Sequence, residues 1–290
     1  MPSNALEHHT VRAKDGTTLT YYDSGGDGPP VVIANGLGGP LIAWKHQIEY
    51  LRYRFRVVSW DYRGLHRSSR PPGSPPRVCL EAQVEDLGAV LHAAQVSRAA
   101  FMGWSTGAQI ALGLHAQSPE QVSHLVLLNP TFGKAEGGGL PWRSRLVSRM
   151  LGRAHRMHRL GSRLVGKAGK SPELLLWLKR AGLVGPTLDE ELFSDVALGF
   201  GELDLDVFLL TLRALGEAAP PRVDAVQVPT LAIIGEKDIF TPLGLAREMA
   251  GRIPGVETLL VRGATHYAAI EYPELINLRI EKFFRENGYG

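Results

Sequence analysis

Short apolar runs alternate with segments whose apolar positions recur every three or four residues along most of the chain. Uninterrupted apolar runs of this length are typical of buried strands, and the longer period is typical of helices that bury one face. We predict strands at 31–35, 56–60, 99–104, 122–129, 229–235 and 256–261. We predict helices at 40–53, 79–95, 106–117, 243–252 and 273–286. This alternation indicates an α/β fold with a mostly parallel sheet covered by helices.

Two further strands are predicted at the start of the chain. Residues 10–14 and 17–22 flank Asp15-Gly16, a dipeptide that is common in tight hairpin turns. We therefore expect an antiparallel hairpin ahead of the parallel strands.

A long insertion separates the strand predicted to end near Leu128 from the one that begins at Pro229. The gap is about a hundred residues, whereas connections in α/β units usually take about 2 to 6. Residues 131–221 have a helical composition and are bounded by Gly137-Gly138-Gly139 and Pro220-Pro221. We predict a core domain formed by 1–130 and 222–290, with an inserted helical unit at 131–221.

Composition limits the kinds of protein and of binding site that this chain can form. The chain has 290 residues, of which 44% are hydrophobic, so it can bury a sizeable core. We expect a cytoplasmic protein, because the amino terminus lacks an apolar signal core and no apolar stretch reaches about 18 residues. Cys79 is the only cysteine, which excludes an intrachain disulfide and a cysteine-based zinc site. The histidines show no metal-ligand spacing, so we expect neither a metal nor another cofactor.

Charge is unevenly distributed, although the net charge is only +3. A basic run without acids comprises Arg143, Arg145, Arg149, Arg153, Arg156, Arg159, Arg163, Lys167 and Lys170. We favour a solvated helix face, or one that meets the acidic stretch 189–206. The alternative is weak association with an anionic membrane. We expect no nucleic-acid binding, because the run lacks interleaved aromatic residues. Nothing in the sequence indicates the oligomeric state.

Candidate chemistry begins at Ser105, in Gly103-Trp104-Ser105-Thr106-Gly107. The pentapeptide lies between a predicted strand and a predicted helix, where Gly-x-Ser-x-Gly forms a nucleophile elbow. A serine hydroxyl is a weak nucleophile, so it needs a base and a group that orients the base. Asp238 and His266 follow later in the chain, each just beyond the end of a predicted strand. In parallel sheets this edge is where ligands bind.

Four motifs in this order resemble the α/β-hydrolase family over nearly the whole chain. They are Val31 to Gly39, Trp60-Asp61-Tyr62-Arg63-Gly64, Pro229 to Pro242 with the acid turn, and Gly263 to His266 with the Glu271-Tyr272-Pro273-Glu274 segment. The resemblance implies a mostly parallel eight-stranded sheet flanked by helices, with a helical cap inserted after strand 6. It also implies that Ser105, Asp238 and His266 form a catalytic triad, with substrate choice determined mainly by the cap.

The same resemblance implies an oxyanion hole formed by the backbone N–H groups of Leu37 and Thr106. The family usually has His-Gly where this chain has Asn35-Gly36, and we expect the Asn35 side chain to hold the loop by hydrogen bonding. The acid that some relatives have after strand 6 is missing, since Asn129 occupies that position. Our candidates for substrate contact are Asn35, Gly36, Trp104 and Trp142.

These residues predict a cofactor-free serine hydrolase that acts on uncharged, hydrophobic carboxylic esters. Lactonase, thioesterase, carbon–carbon bond hydrolase and perhydrolase or haloperoxidase-like activities use the same triad and remain open. A second hypothesis is a binding module that retains the triad to sense a small ligand. Turnover of an ester distinguishes the enzyme from the sensor.

Overall fold

The computed structural model describes residues 6–132 and 172–290. The strands in these residues are β1 (Glu7–Arg12), β2 (Thr18–Asp23), β3 (Pro30–Ala34), β4 (Arg56–Trp60), β5 (Ala99–Trp104), β6 (Val122–Leu128), β7 (Thr230–Gly235) and β8 (Glu257–Val261). They form an 8-stranded sheet in the order β1-β2-β4-β3-β5-β6-β7-β8. β1 and β2 pair antiparallel, β2 pairs antiparallel with β4, and every later pairing is parallel.

The α-helices of the described residues are α1 (Lys45–Leu51), α2 (Leu80–Ala93), α3 (Thr106–Gln117), α4 (Pro172–Arg180), α5 (Glu190–Gly201), α6 (Leu205–Glu217), α7 (Leu243–Gly251), α8 (Ala268–Glu271) and α9 (Pro273–Glu286). The predicted helix at 40–53 divides into a 3-10 turn, Leu41–Trp44, and α1. The division follows from Trp44, whose φ of −102° and ψ of 12° interrupt the regular helix. Helices from all other predicted segments end within two residues of the predicted bounds.

Helices cover both faces of the sheet. One apolar cluster joins β2, β4 and β5 to α2 and α3, and a second joins β3, β7 and β8 to α1 and α9. β5, β6 and β7 are buried at every position, as continuous apolar runs predict for strands covered on both sides.

A buried ion pair holds the turn after β4. The Arg63 side chain is 1% exposed and makes two hydrogen bonds to Asp86 on α2. It also bonds to Asp15 at the hairpin turn, where Gly16 has a φ of 89°. The paired geometry offsets the cost of burying the guanidinium, and it ties the amino-terminal hairpin to the parallel part of the sheet.

The inserted segment contributes α4, α5 and α6 to the described structure, between β6 and β7. α5 is capped by Asp189, whose side chain accepts a hydrogen bond from Leu192 N. α6 is capped by Asp204, which accepts from the backbone N–H groups of Asp206 and Val207. Both aspartates are favoured N-cap residues. The helical composition of this part of the insertion is thus matched by helices.

Trp142, the glycines at 137–139 and the basic run at 143–170 lie outside the described residues. The boundaries of the inserted unit stay a prediction. Among the helices described, none combines the length and the apolar character needed to cross a membrane.

Candidate active site

Ser105 lies on a strained turn between β5 and α3. Its φ of 56° and ψ of −118° are unfavourable for a residue with a side chain. Its backbone N–H donates to Leu128 O at 2.9 Å, which anchors the turn to β6. A Cβ at Gly103 would lie 2.5 Å from Ala108, and one at Gly107 would lie 2.0 Å from Ala34 O. Glycine is therefore required on both sides of Ser105 because the backbone approaches too closely for any side chain.

Asp238 and His266 are in direct contact. His266 Nδ1 lies 2.7 Å from Asp238 Oδ2, and the Asp238 side chain is 1% exposed. The other oxygen, Oδ1, accepts from the backbone N–H groups of Phe240 and Thr241 at 2.8 and 2.9 Å. Both carboxylate oxygens are thus bound, which holds the carboxylate in place to receive the Nδ1–H of the imidazole. This leaves Nε2 of His266 for proton exchange.

Trp104 links the histidine loop to the elbow. Its indole Nε1 donates to His266 O at 2.9 Å, and the two rings lie 5.5 Å apart between centroids. Trp104 immediately precedes Ser105, so this contact brings the histidine beside the serine turn. The structure therefore places Ser105, Asp238 and His266 just after β5, β7 and β8, at the carboxyl edge of the sheet. Trp104 itself is buried.

The predicted oxyanion loop, Asn35–Gly39, is held mainly by packing. Gly36 lies against the Trp104 indole, where a Cβ would be 2.9 Å from the ring. Gly38 has a φ of 75°, and its Cβ would lie 2.8 to 2.9 Å from Phe200, Leu203 and Phe208. These side chains belong to α5, α6 and the turn between them. The inserted helices therefore rest directly on the loop that carries Leu37.

Asn35 differs from our expectation. Its Oδ1 is buried and has no hydrogen-bond partner among the described residues, so that oxygen does not hold the loop there. The loop is held at this residue by Tyr62 instead, whose hydroxyl donates to Asn35 O. The Thr106 hydroxyl is also buried without a partner in the described part of the chain.

Sequence reasoning missed the role of Glu271. Its buried carboxylate accepts from Thr265 N at 2.7 Å and from Thr265 Oγ1 at 2.5 Å. It also accepts from Gly185 N, in the inserted segment, at 2.6 Å. A Cβ at Gly185 would lie 2.9 Å from this carboxylate, so the approach requires glycine. Glu271 thus joins the histidine loop to the segment between α4 and α5. The acid five residues after His266 was the only indication in the sequence.

Aromatic rings surround His266. Phe240 lies 5.1 Å from the imidazole centroid, and Tyr267 lies 5.7 Å from Trp104 and 5.1 Å from Phe193 on α5. Burial, with the charges of Asp238 and Glu271 adding to it, raises the pKa of Tyr267 to about 12. The phenol is therefore neutral at physiological pH. These neighbours make the surroundings of His266 apolar.

Not every apolar side chain of the insertion contributes to this packing. The apolar content of this segment, which includes Trp177, predicts that many of these side chains pack on one another or line the cleft. Phe193 and Phe208 are buried, whereas Trp177 on α4 is 56% exposed. The difference arises because Leu175 and Leu178 form the inward face of α4.

The described residues contain no group of three or more histidine, cysteine, aspartate or glutamate side chains arranged to hold a metal ion.

Comparison with known proteins identifies the family. The family model of the alpha/beta hydrolase fold matches residues 29–273. The chain therefore belongs to the α/β-hydrolase family, and its sheet order and flanking helices are those of that fold. The match includes the oxyanion loop, the elbow and both downstream residues of the predicted triad.

Individual relatives carry different activities. 3-Oxoadipate enol-lactonase 2 of Acinetobacter baylyi is 27% identical over 281 residues, which cover 94% of each chain. Esterase RhEst1 from Rhodococcus sp. has a similar structure, with a TM-score of 0.79 and 20% identity over 97% of this chain and 100% of its own. A bromoperoxidase from Bacillus anthracis also has a similar structure, with a TM-score of 0.74 and 17% identity over 96% of this chain and 100% of its own. The relatives indicate hydrolase chemistry, and the two structures share the fold.

Proposed function

We propose that this α/β hydrolase cleaves carboxylic esters of uncharged, hydrophobic small molecules through an acyl-enzyme intermediate and without a cofactor. Ser105 is the nucleophile, His266 the general base and Asp238 the residue that orients it. The observation that carries the proposal is the 2.7 Å contact between His266 Nδ1 and Asp238 Oδ2, beside a serine on a strained turn. Such a pair serves a serine nucleophile when it is held at the elbow.

In the acylation step, Ser105 Oγ attacks the ester carbonyl carbon while His266 Nε2 takes the hydroxyl proton. The tetrahedral intermediate then collapses, the C–O bond to the alcohol breaks, and the imidazolium gives its proton to the leaving alkoxide. Water repeats the sequence on the acyl-enzyme and releases the acid. Asp238 stabilises the imidazolium without taking its proton.

The backbone N–H groups of Leu37 and Thr106 would stabilise the oxyanion in both steps. Thr106 is the first residue of α3, where N–H groups have no partner within the helix and the helix dipole favours negative charge. Leu37 lies in the glycine-rich loop that Trp104 and the inserted helices pack against. Losing one such donor usually costs a factor of about 10² to 10³ in kcat.

The surroundings of the site support an uncharged substrate. Aromatic rings of Trp104, Phe240 and Tyr267 lie against the histidine, and Phe193 packs on Tyr267. An anionic substrate would be repelled by the charge of Asp238 and would lose hydration among these rings. An apolar acyl chain gains about 25 cal/mol for each Å² of surface removed from water.

Lactone hydrolysis is the second candidate. The similarity to 3-oxoadipate enol-lactonase 2 over 94% of this chain favours it. The same attack on a lactone opens the ring and leaves the alcohol attached to the acyl group, so the triad needs no further residue.

A panel of p-nitrophenyl esters from acetate to palmitate, run beside simple aliphatic lactones, tests the proposal. We expect turnover of the esters, loss of turnover in Ser105→Ala, and fluorophosphonate labelling of wild type alone. Turnover of lactones faster than turnover of the esters would favour the second candidate. The corresponding thioesters, run beside the esters, extend the test to thioesterase activity. A folded protein that binds a hydrophobic ester without turning it over would instead be a sensor.

A further inference from the structure

Asn129 is the first residue after β6 and lies at the centre of the candidate site. It is 1% exposed and has a φ of 42°, a left-handed conformation that asparagine tolerates better than most residues. Its backbone N–H donates to Ile233 O at 2.8 Å, which continues the pairing of β6 with β7. The backbone of Asn129 is therefore fixed at the edge of the sheet, and the side chain extends from that position.

The side-chain amide joins two loops. Nδ2 donates to Thr265 O and to His266 O, each at 3.0 Å. Oδ1 accepts from Gly235 N at 2.7 Å. Gly235 ends β7, three residues before Asp238. The two carbonyls require donors and the N–H requires an acceptor, so this network also determines which way the amide points.

We propose that Asn129 is a positioning residue that sets the distance and orientation between His266 and Asp238. The inference rests on the proposed function, in which those two residues activate Ser105. Each residue sits on a loop from a different strand, and the 2.7 Å contact between them needs both loops in register. A single rigid amide bonded to both loops provides that register. Trp104 Nε1 donates to the same His266 O, so this carbonyl has two donors and little freedom to rotate.

Only an amide satisfies this position. An ionised carboxylate has no hydrogen to give, so it would face the oxygens of Thr265 and His266 and lose both donated bonds. Burial next to two carbonyl oxygens makes that charge still less favourable. The residue after β6 in this chain is therefore a hydrogen-bond donor to the histidine loop, and the acid comes from the turn after β7.

Asn129→Asp, which preserves the shape of the side chain, tests the proposal. The matched control is Asn277→Asp on α9, another buried asparagine whose Nδ2 donates to a backbone carbonyl, His46 O, at 3.1 Å. We expect Asn129→Asp to lower kcat for a p-nitrophenyl ester about 10²-fold, since a misplacement of about 1 Å at the reacting groups has that effect. KM should change much less. Asn277→Asp should lower the melting temperature and leave kcat close to that of wild type.

A second readout needs no substrate. The proton shared by His266 Nδ1 and Asp238 should give a low-field ¹H resonance in wild type and in Asn277→Asp, and it should be shifted or lost in Asn129→Asp. Asn129→Ser, which is smaller and uncharged, serves if the aspartate variant does not fold. An unchanged resonance together with a kcat equal to that of Asn277→Asp would overturn the proposal. Absence of ester turnover in wild type would contradict the proposed function, and the resonance would still test Asn129.

Discussion

The two sides of the candidate cleft are held by different forces. The histidine side is a hydrogen-bond network in which Asp238, Asn129 and Glu271 use nearly all of their polar atoms. The oxyanion side is held by packing on glycines, and Asn35 Oδ1 lacks a partner in the described structure. Hydrogen bonds fix angles, whereas packing fixes only distances. The comparison indicates that the histidine side depends on its buried polar groups and that the oxyanion loop depends on the inserted helices.

The largest expected effect is on the histidine side. Asp238→Asn should fold and lose about 10⁴-fold in kcat, as the equivalent change does in the serine-protease triad, because the imidazole adopts the wrong tautomer. Asp224→Asn is the control, since Asp224 is exposed. Ester turnover with circular dichroism checks both. If the two variants were equally active, Asp238 would not be the acid.

Gly38→Ala tests the oxyanion side and should lower kcat about 10²-fold by displacing the Leu37 N–H. The added Cβ would meet Phe200, Leu203 and Phe208 at a φ of 75°. Gly26→Ala is the matched control, because Gly26 has a φ of 92° and open space around it. It carries the backbone strain without the clash.

The double variant Gly38→Ala/Phe208→Ala locates the cause of that loss. Removing one ring that the Cβ would meet should restore part of the activity. If the double variant recovered no kcat and Gly26→Ala lost a similar factor, backbone strain, and not packing of the inserted helices, would account for the loss in kcat.

Glu271→Gln should have a smaller effect. Its amide can accept with one oxygen only, so one of the three donors from Thr265 and Gly185 loses its partner. A buried donor without a partner costs about 1 to 3 kcal/mol. We expect lower stability in urea and a loss in kcat well below that of Asp238→Asn. Glu274→Gln is the control, since Glu274 is exposed in the first turn of the next helix, α9. Equal stability of the two variants would show that the link to the inserted segment adds nothing to the free energy of unfolding.

The smallest effect lies away from the cleft. Burial lowers the pKa of His124, which packs against Phe283, Phe284 and Tyr289. Above the unfolded pKa of about 6.5 the imidazole is neutral in both states, and its stabilising contribution is complete. As the pH falls below that value, the unfolded chain binds the proton first, so stability declines until the folded pKa is passed.

Melting temperatures between pH 7 and pH 5 check this. His124→Asn should show a shallower decline than wild type, and the exposed His8→Asn should follow wild type. Identical slopes in all three proteins would contradict the assignment. Neither variant should alter kcat, because His124 lies far along β6 from Ser105 at the opposite edge of the sheet.

The sequence by itself determined most strands, most helices and the order of the triad candidates, although β1, predicted at 10–14, spans Glu7–Arg12. Periodicity reports burial directly, so β4, β5, α3 and α9 begin and end where the pattern predicts. The elbow could also be predicted from the sequence, because the backbone approaches so closely at Gly103 and Gly107 that only glycine fits. The strand and helix patterns are local, and the elbow is marked by its spacing even though Gly107 meets Ala34 O from a distant strand.

Only the tertiary structure decided how the two sides of the cleft are held. Asn129 bonds to residues more than a hundred positions away, and Glu271 reaches Gly185 across 86 positions. The bond from the Tyr62 hydroxyl to Asn35 O was missed for the same reason, since the two residues are close only in space. The residues that flank a polar side chain in the sequence do not indicate which distant carbonyl or N–H group it will bond. That information arises when the strands align and bring their loops to one edge.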